Sequence, residues 1–294
     1  MKPALSPSLP TTSTVEISAA TTRVHDFVAQ GYNSHSGIIA RKNRIAFDAL
    51  AEHWRGHRAP LKVLDLGVGD GALLAQLQTL PLNWEMTGLD ISPAMLDCAA
   101  ARVPMKRVLA PVEQAAAHLP ASHFDLVLGH YVLAYVALPT LLDQAKQLLA
   151  PGGVFSLATS TLTGAKPLFL QLEQFRQDSR LPWRRWMARA IERALDSTSI
   201  PPTYAELEQQ IEAAGLRVQQ RQTLSEPLVF NSAEDAFDFF IRQGWGASLL
   251  AGFGRLPLAC SRALVYLGLC DYTYPICWTH HTEVLQIVRA DASC

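Results

Sequence analysis

The stretch Lys62-Val63-Leu64-Asp65-Leu66-Gly67-Val68-Gly69-Asp70-Gly71 sets a short apolar run against three glycines at alternate positions. A β-rich run ending in glycine predicts a strand and a tight turn. A helix should follow from Ala72 to Leu80, where Leu73, Leu74, Leu77 and Leu80 fall at helical spacing. Glycines in such a turn let backbone N–H groups approach a ligand, and the helix behind it points its free N–H groups and positive dipole end at the same place. Asp65 is the informative exception, because a carboxylate inside an apolar strand is costly to bury without a partner. It either hydrogen-bonds the loop backbone or attracts a cationic group; the plainer alternative is a surface acid at an ordinary strand–turn–helix junction. A dinucleotide loop spaces its glycines as GxGxxG, whereas here position 72 is alanine and the third glycine arrives early.

Outward from this run, β-rich and helical stretches alternate from Leu61 to Thr159, which predicts βαβ units and a parallel sheet. Further strands are expected at Trp84–Asp90, Arg107–Ala110, Phe124–Gly129 and Val154–Thr159. Helices are expected at Pro93–Arg102, behind an N-cap at Ser92, and at Leu138–Leu149, ended by Pro151-Gly152-Gly153. Asp90 closes the second strand 19 residues after Gly71, where an acid can accept both ribose hydroxyls of a nucleoside. Taken alone, an Asp at a strand end is as readily a turn or cap residue. Beyond Thr159 the reading is helical material over 163–200, a helix at Tyr204–Ala214, strands at Leu216–Thr223 and Glu283–Arg289, and a helix at Ala233–Gln243. Upstream, helices at Arg23–Gln30 and Ala40–Trp54 flank the segment that holds Tyr32. The expected organisation is a flexible lead-in (1–20), an N-terminal helical flap (21–60), a Rossmann-like core (61–162), a helical lid insertion (163–203), and C-terminal strands with a helical insertion (204–294).

With 294 residues, 49% of them hydrophobic, the chain has ample material for a core, and wholesale disorder is excluded. Lys and Arg number 25 against 26 Asp and Glu, so no chain-wide basic footprint for nucleic acid exists. Five scattered cysteines without a CxxC pair predict reduced thiols and a cytoplasmic compartment. No apolar run approaches the ~20 residues that a membrane span requires. His280-His281 and the cysteines upstream of them lack a compact ligand set, so no metal is expected.

Asp65-Leu-Gly67-Val-Gly69-Asp-Gly71, Gly88-Leu-Asp90-Ile-Ser92, Phe124-Asp-Leu-Val127 and Leu149-Ala-Pro-Gly-Gly153 resemble, in order and spacing, the motifs of class I S-adenosylmethionine-dependent methyltransferases of the small-molecule type. The resemblance covers residues 40–160 and, more loosely, the two C-terminal strands. It implies an α/β fold: a Rossmann-like, doubly wound, seven-stranded and mostly parallel sheet whose last strand is antiparallel and sits beside the sixth. It implies S-adenosyl-L-methionine as cofactor. Gly67, Gly69 and Gly71 would then face its methionine part, with Asp65 orienting the loop or the amino group. Asp90 would hold the ribose, Ile91 and Val112 would lie by the adenine, and Gly129 would border the site. Many relatives place an acid after the third strand to meet the adenine amino group, whereas here the run is Ala110-Pro111-Val112-Glu113. That contact then falls to backbone groups near Val112 or to Glu113.

A proton-bearing acceptor also needs a base. His130, at the end of the fourth strand with Tyr131 and Tyr135 after it, is the candidate base; the alternative is a hydrogen-bonded histidine at a strand end. Tyr32 resembles the tyrosine that many relatives carry before the sheet, and otherwise packs the flap. Trp183, Trp186, Met187, Ala190, Ile191 and Ala194 share one helical face, opposite Arg184, Arg185, Arg189 and Arg193. This is either a lid helix with solvated arginines or a surface over 180–195 for an anionic substrate, a carrier protein or a membrane. Phe237, Phe239, Phe240 and Trp245 either line an apolar or aromatic acceptor's pocket or belong to the core. The competing functions are an NAD-dependent oxidoreductase and a non-catalytic cofactor-binding or carrier-interacting protein.

Overall fold

The computed structural model describes residues 14–29, 37–57, 59–163, 200–242, 246, 250, 253 and 256–290. Seven strands form one sheet: β1 (Leu61–Leu66), β2 (Trp84–Asp90), β3 (Lys106–Leu109), β4 (Phe124–His130), β5 (Leu149–Ser160), β6 (Leu216–Phe230) and β7 (Ile276–Arg289). Their order is β3-β2-β1-β4-β5-β7-β6. The first five strands pair parallel, and β7 runs antiparallel between β5 and β6. The expected topology is therefore the observed one.

Alternation along each strand explains why the sheet is buried on both faces. Leu61, Val63, Leu126, Leu128, Val154 and Val288 share one cluster with Leu50 of α2 (Gly37–His53), Leu74 of α3 (Ala72–Leu77) and Ala99 of α4 (Pro93–Arg102). Leu64, Leu66, Val127, Phe155 and Leu285 turn the other way. They meet Ala115 of α5 (Ala115–His118), Leu141 and Leu148 of α6 (Leu138–Leu148) and Ile211 of α7 (Tyr204–Ala213). Helix α1 (Thr14–Val28) lies against α4, and its Val28 packs on Met95.

Several boundaries differ from the sequence reading. Helix α1 begins at Thr14 rather than Arg23, so residues 14–20, expected to belong to a flexible lead-in, are helical. Pro151-Gly152-Gly153 does not separate α6 from β5; the strand opens at Leu149 and carries an irregularity there, with Leu149 opposite Phe124 and Val154 opposite Leu126. Strands β6 and β7 run well past the expected ends, because they pair with each other as a long ribbon from Leu216–Arg289 to Phe230–Ile276. Half-exposed ribbons of this kind carry little apolar alternation to read. The predicted helix from Ala233 is α-helical only to Phe237 (α8) and continues as a π turn over Asp238–Arg242. A further helix, α9 (Leu258–Cys270), was not foreseen in the most hydrophobic part of the chain.

Candidate functional site

The carboxyl ends of β1, β2 and β4 open onto one cleft of about 200 Å³. Its floor is the glycine loop, and all three glycines adopt left-handed backbone: Gly67 at φ 83°, Gly69 at 53° and Gly71 at 73°. At Gly67 a side chain is excluded twice, by that φ and because a Cβ would come within 2.5 Å of Val132 Cγ1. The N–H groups of Gly67 and Val68 both donate to the Leu89 carbonyl, folding the loop across the end of β2. Asp90 completes the tie, accepting from Gly69 N–H at 2.9 Å and from Ser92 N–H at 2.9 Å. Ser92 in turn caps α4, as expected, by accepting from Met95 N–H. Its hydroxyl also donates to Asp26 of α1, so the flap is fastened to the same corner.

Three acids converge on the loop. Asp65 is 5% exposed and lines the cleft, and its carboxyl has no hydrogen-bond partner or ion pair among the described residues. Burial, followed by the nearby Asp90 and Asp70, pushes its pKa up to about 7. Asp90 is likewise shifted upward by burial, against the pull of the Ser92 and Gly69 N–H groups. Asp70 is steadied by Arg102 at 3.3 Å and by the N–H of Ala72. The loop is thus an anionic cradle that gains from any cation placed in it.

Other walls come from further along the chain. Ile91, Pro111, Val112 and Glu113 form the side toward β3, and Glu113 is itself exposed. Val132, Tyr135 and Val136 form the side toward β4, while Thr21 and His25 of α1 and Asn43 of α2 border the cleft from above the sheet. His25 meets the Tyr135 ring edge-on at 4.7 Å and donates through Nδ1 to the Thr21 carbonyl. His130 also lines the cleft; its Nε2 lies 3.0 Å from Ser156 Oγ, and its Nδ1 is buried without a partner among the described residues. Burial lowers its pKa to about 4. The ring is therefore neutral at physiological pH and a weak proton acceptor.

Of the residues singled out in the sequence, Asp65, Gly67, Gly69, Asp90, Ile91, Val112 and His130 share this cleft. Gly71 and Gly129 do not line it. Gly71 instead lets α3 approach α4, since a Cβ there would meet Ala99 backbone at 2.9 Å, and Gly129 faces the Phe155 ring in the core. Tyr32, Trp245 and the arginine-rich helix of the expected lid lie outside the described residues. Phe237, Phe239 and Phe240 resolve to core, packed with Phe230, Ile241, Leu250 and Trp278, and none borders the cleft. Sequence reasoning missed Thr21, His25, Asn43, Val132 and Val136. Only His25 carried a readable signal, as a lone titratable group on the inner face of the flap helix. No group of three potential metal ligands exists among the described residues. No helix among them is long and apolar enough to cross a membrane.

Residues 64–155 match the family model described as Methyltransferase domain. Over those residues the chain is similar to methyltransferase domains, and they lie within the Rossmann-like α/β sheet described above. A 102-residue stretch is 40% identical to trans-aconitate 2-methyltransferase of Methylobacterium radiotolerans, covering 34% of this chain and 38% of that protein. A malonyl-[acyl-carrier protein] O-methyltransferase of Halorhodospira halophila is 32% identical over 143 residues, 47% of this chain and 46% of that protein. The chain thus spans less than half the length of these curated relatives. The fold is shared with the YcgJ protein of Bacillus subtilis (TM-score 0.53, 14% identity, 84% of this chain and 99% of that one). Mycolic acid cyclopropane synthase CmaA1, solved with SAH and CTAB, aligns at TM-score 0.51 and 15% identity over 95% of this chain and 99% of its own.

Proposed function

We propose that the protein transfers a methyl group from S-adenosyl-L-methionine to a small-molecule acceptor by in-line displacement, leaving S-adenosylhomocysteine. The observation that carries this reading is the buried Asp65, without a partner among the described residues, beside Asp90 at a glycine loop whose Gly67 admits no side chain. A group that fits there must be cationic at one end and offer hydroxyls at the other. An amino acid sulfonium joined to a nucleoside has that pattern; NAD, with its diphosphate, would set negative charge against three acids.

In this reading Asp65 holds the ammonium of the methionine part, and Gly67 and Gly69 admit its chain. Asp90, already fixed by two N–H groups, accepts from the ribose with its remaining lone pairs. Ile91 and Val112 flank the adenine, and Glu113 is near enough to the cleft to meet its amino group. Gly71 and Gly129 then act by packing rather than by contact. When bound, the cofactor supplies an electrophilic methyl, so the chain's task is alignment and exclusion of water. The free thiols of Cys98, Cys260, Cys270 and Cys277 agree with a cytoplasmic setting.

Release of S-adenosylhomocysteine by purified protein with a panel of small-molecule acceptors tests the activity. The expected result is turnover with at least one acceptor class. Cofactor binding without any turnover would instead support a non-catalytic cofactor-binding protein.

A further inference from the structure

The part of the cleft that the cofactor reading leaves unused is polar, yet it holds no fixed cation. Thr21 and His25 of α1, Asn43 of α2 and His130 at the end of β4 line it, and no Lys or Arg does so among the described residues. Lys42 lies outside this lining: it is buried behind Tyr131, with its Nζ 5.5 Å from that ring and 2.8 Å from His280 Nδ1. Two of the lining groups keep polar atoms in reserve. Asn43 is 6% exposed, and its amide has no hydrogen bond among the described residues. His130 Nδ1 is buried and equally unmatched, while its Nε2 is taken up by Ser156. Such atoms are costly to bury unless a ligand or water meets them. A neutral hydrogen-bonding molecule satisfies them. An anionic one would face Asp65, Asp70, Asp90 and Glu113 with no lining cation to offset the repulsion.

His25 is the group here that is built to take a proton. Its Nδ1 lies 2.9 Å from the Thr21 carbonyl, and a carbonyl only accepts, so Nδ1 carries a proton in the neutral ring as well as in the charged one. The neutral tautomer is thereby fixed. Nε2 holds the lone pair, on the side of the ring away from the α1 backbone, and no described residue donates to it. Edge-on contact with Tyr135 at 4.7 Å sets the plane of the half-buried ring. Asp90 faces it: burial raises the Asp90 pKa, while the Ser92 and Gly69 N–H groups and then a charged His25 pull it down. An imidazolium at His25 is therefore favoured by the acid opposite. Asp26, the next residue, accepts from Ser92 and keeps α1 on this corner. The remaining wall is Tyr131, Val132, Tyr135 and Val136, turned into place by the left-handed backbone of Tyr131 at φ 61°. It is largely apolar, which again suits an uncharged occupant.

Resting on the proposed methyl transfer, we infer that the acceptor is a neutral hydroxyl compound and that His25 Nε2 is the catalytic base that takes its proton. The acceptor oxygen forms its bond to the methyl carbon as the donor's S–C bond breaks. The S–C electron pair leaves on sulfur, the O–H pair stays on oxygen, and the proton passes to Nε2. The products are a neutral methyl ether, S-adenosylhomocysteine and an imidazolium that later gives its proton to water. Asn43 and His130 Nδ1 hold the acceptor's other polar groups. A carboxylate would need no base, and an amine attacks through its own lone pair; neither makes use of a ring nitrogen fixed as an acceptor.

The test uses the full-length protein and S-adenosylmethionine with a panel of phenols and apolar alcohols, set against carboxylic acids and amines of the same carbon frames. S-adenosylhomocysteine release is expected with the hydroxyl compounds and not with the acids or amines. His25→Ala is expected to lower kcat for an unactivated phenol about 100-fold or more, with S-adenosylhomocysteine affinity by calorimetry within about threefold of wild type. Added imidazole should restore part of that rate, and para-nitrophenol, which ionises without help, should lose less than about tenfold. A merely structural defect would slow every acceptor alike and would ignore imidazole. The nitrogen NMR spectrum of the His25 ring, assigned by its loss in His25→Gln, gives a readout that needs no acceptor: with S-adenosylhomocysteine bound, the neutral ring should carry its proton on Nδ1. Should His25→Ala not fold, His25→Gln kinetics and the wild-type ring spectrum decide. Turnover confined to acids or amines, silence of every hydroxyl compound with cofactor bound, equal losses for phenol and para-nitrophenol, or a neutral ring protonated on Nε2 would overturn the inference. Failure of the wild type to bind S-adenosylhomocysteine would instead remove the cofactor reading beneath it.

Discussion

The glycine loop and the polar cluster behind Tyr131 are built on different principles. At the glycine loop, backbone does most of the work: left-handed glycines, N–H groups gathered on Asp90, and a capped helix behind them. Behind Tyr131, outside the cleft's lining, side chains from distant segments meet: Lys42, Ser160 and His280 come from α2, β5 and β7. The first is where the proposed cofactor would be held. The second is where one member can differ from the next, because changing a few side chains there leaves the sheet intact.

That contrast is sharpest for Asp90. Its carboxylate holds the loop through two N–H groups and is also the proposed ribose contact, so Asp90→Ala is expected to lower S-adenosylhomocysteine affinity at least about 100-fold, as loss of ~3 kcal/mol implies. Thermal melting should also show a loss of about 1–3 kcal/mol, because the Gly69 and Ser92 donors lose their acceptor. Intact affinity would break the division between the two regions.

Gly67→Ala comes next. The positive φ and the approach of Val132 make any Cβ strained, at a cost of about 1–2 kcal/mol, and titration calorimetry should show cofactor binding weakened about tenfold.

Asp65 sharpens the comparison through pH. Its pKa of about 7 in the free protein means that the carboxyl destabilises the fold as it ionises; the burden grows as pH rises from its unfolded value toward 7. Asp65→Asn is therefore expected to leave the free protein at least as stable at pH 8, by denaturant melting, while weakening cofactor binding. In the wild type a cationic ligand lowers that pKa, so binding at pH 6 should release close to one proton and at pH 8 almost none. Calorimetry in buffers of different ionisation enthalpy reads this directly. The smallest effect belongs to Glu113→Gln, where an exposed acid at the adenine side should cost about threefold or less in affinity.

Legibility from sequence follows the same division. The first five strands, the β1 turn and the Ser92 cap were readable from residues close together in the chain, whereas the place of the last strand beside the sixth followed from the family resemblance. Lys42 and His280 were not readable: they are 238 residues apart, and each looks like an ordinary polar residue until α2 is laid over β7. Tyr131 was named only as a follower of His130, since nothing local announces its left-handed φ. His130 was read as a base from its ordinary titration range, which burial removes. Ribbon β6–β7 was underestimated because antiparallel pairing with one exposed face needs no continuous apolar run.

The central claim is that the crevice at the ends of β1 and β2 holds an adenosyl amino acid. Calorimetric titration of S-adenosylhomocysteine and of NAD into the wild type and Asp90→Ala tests it most directly. One-to-one binding of S-adenosylhomocysteine to the wild type, lost in the variant, with no heat from NAD, is the predicted result. Equal affinity of the two proteins for S-adenosylhomocysteine, or preferential binding of NAD, would contradict it.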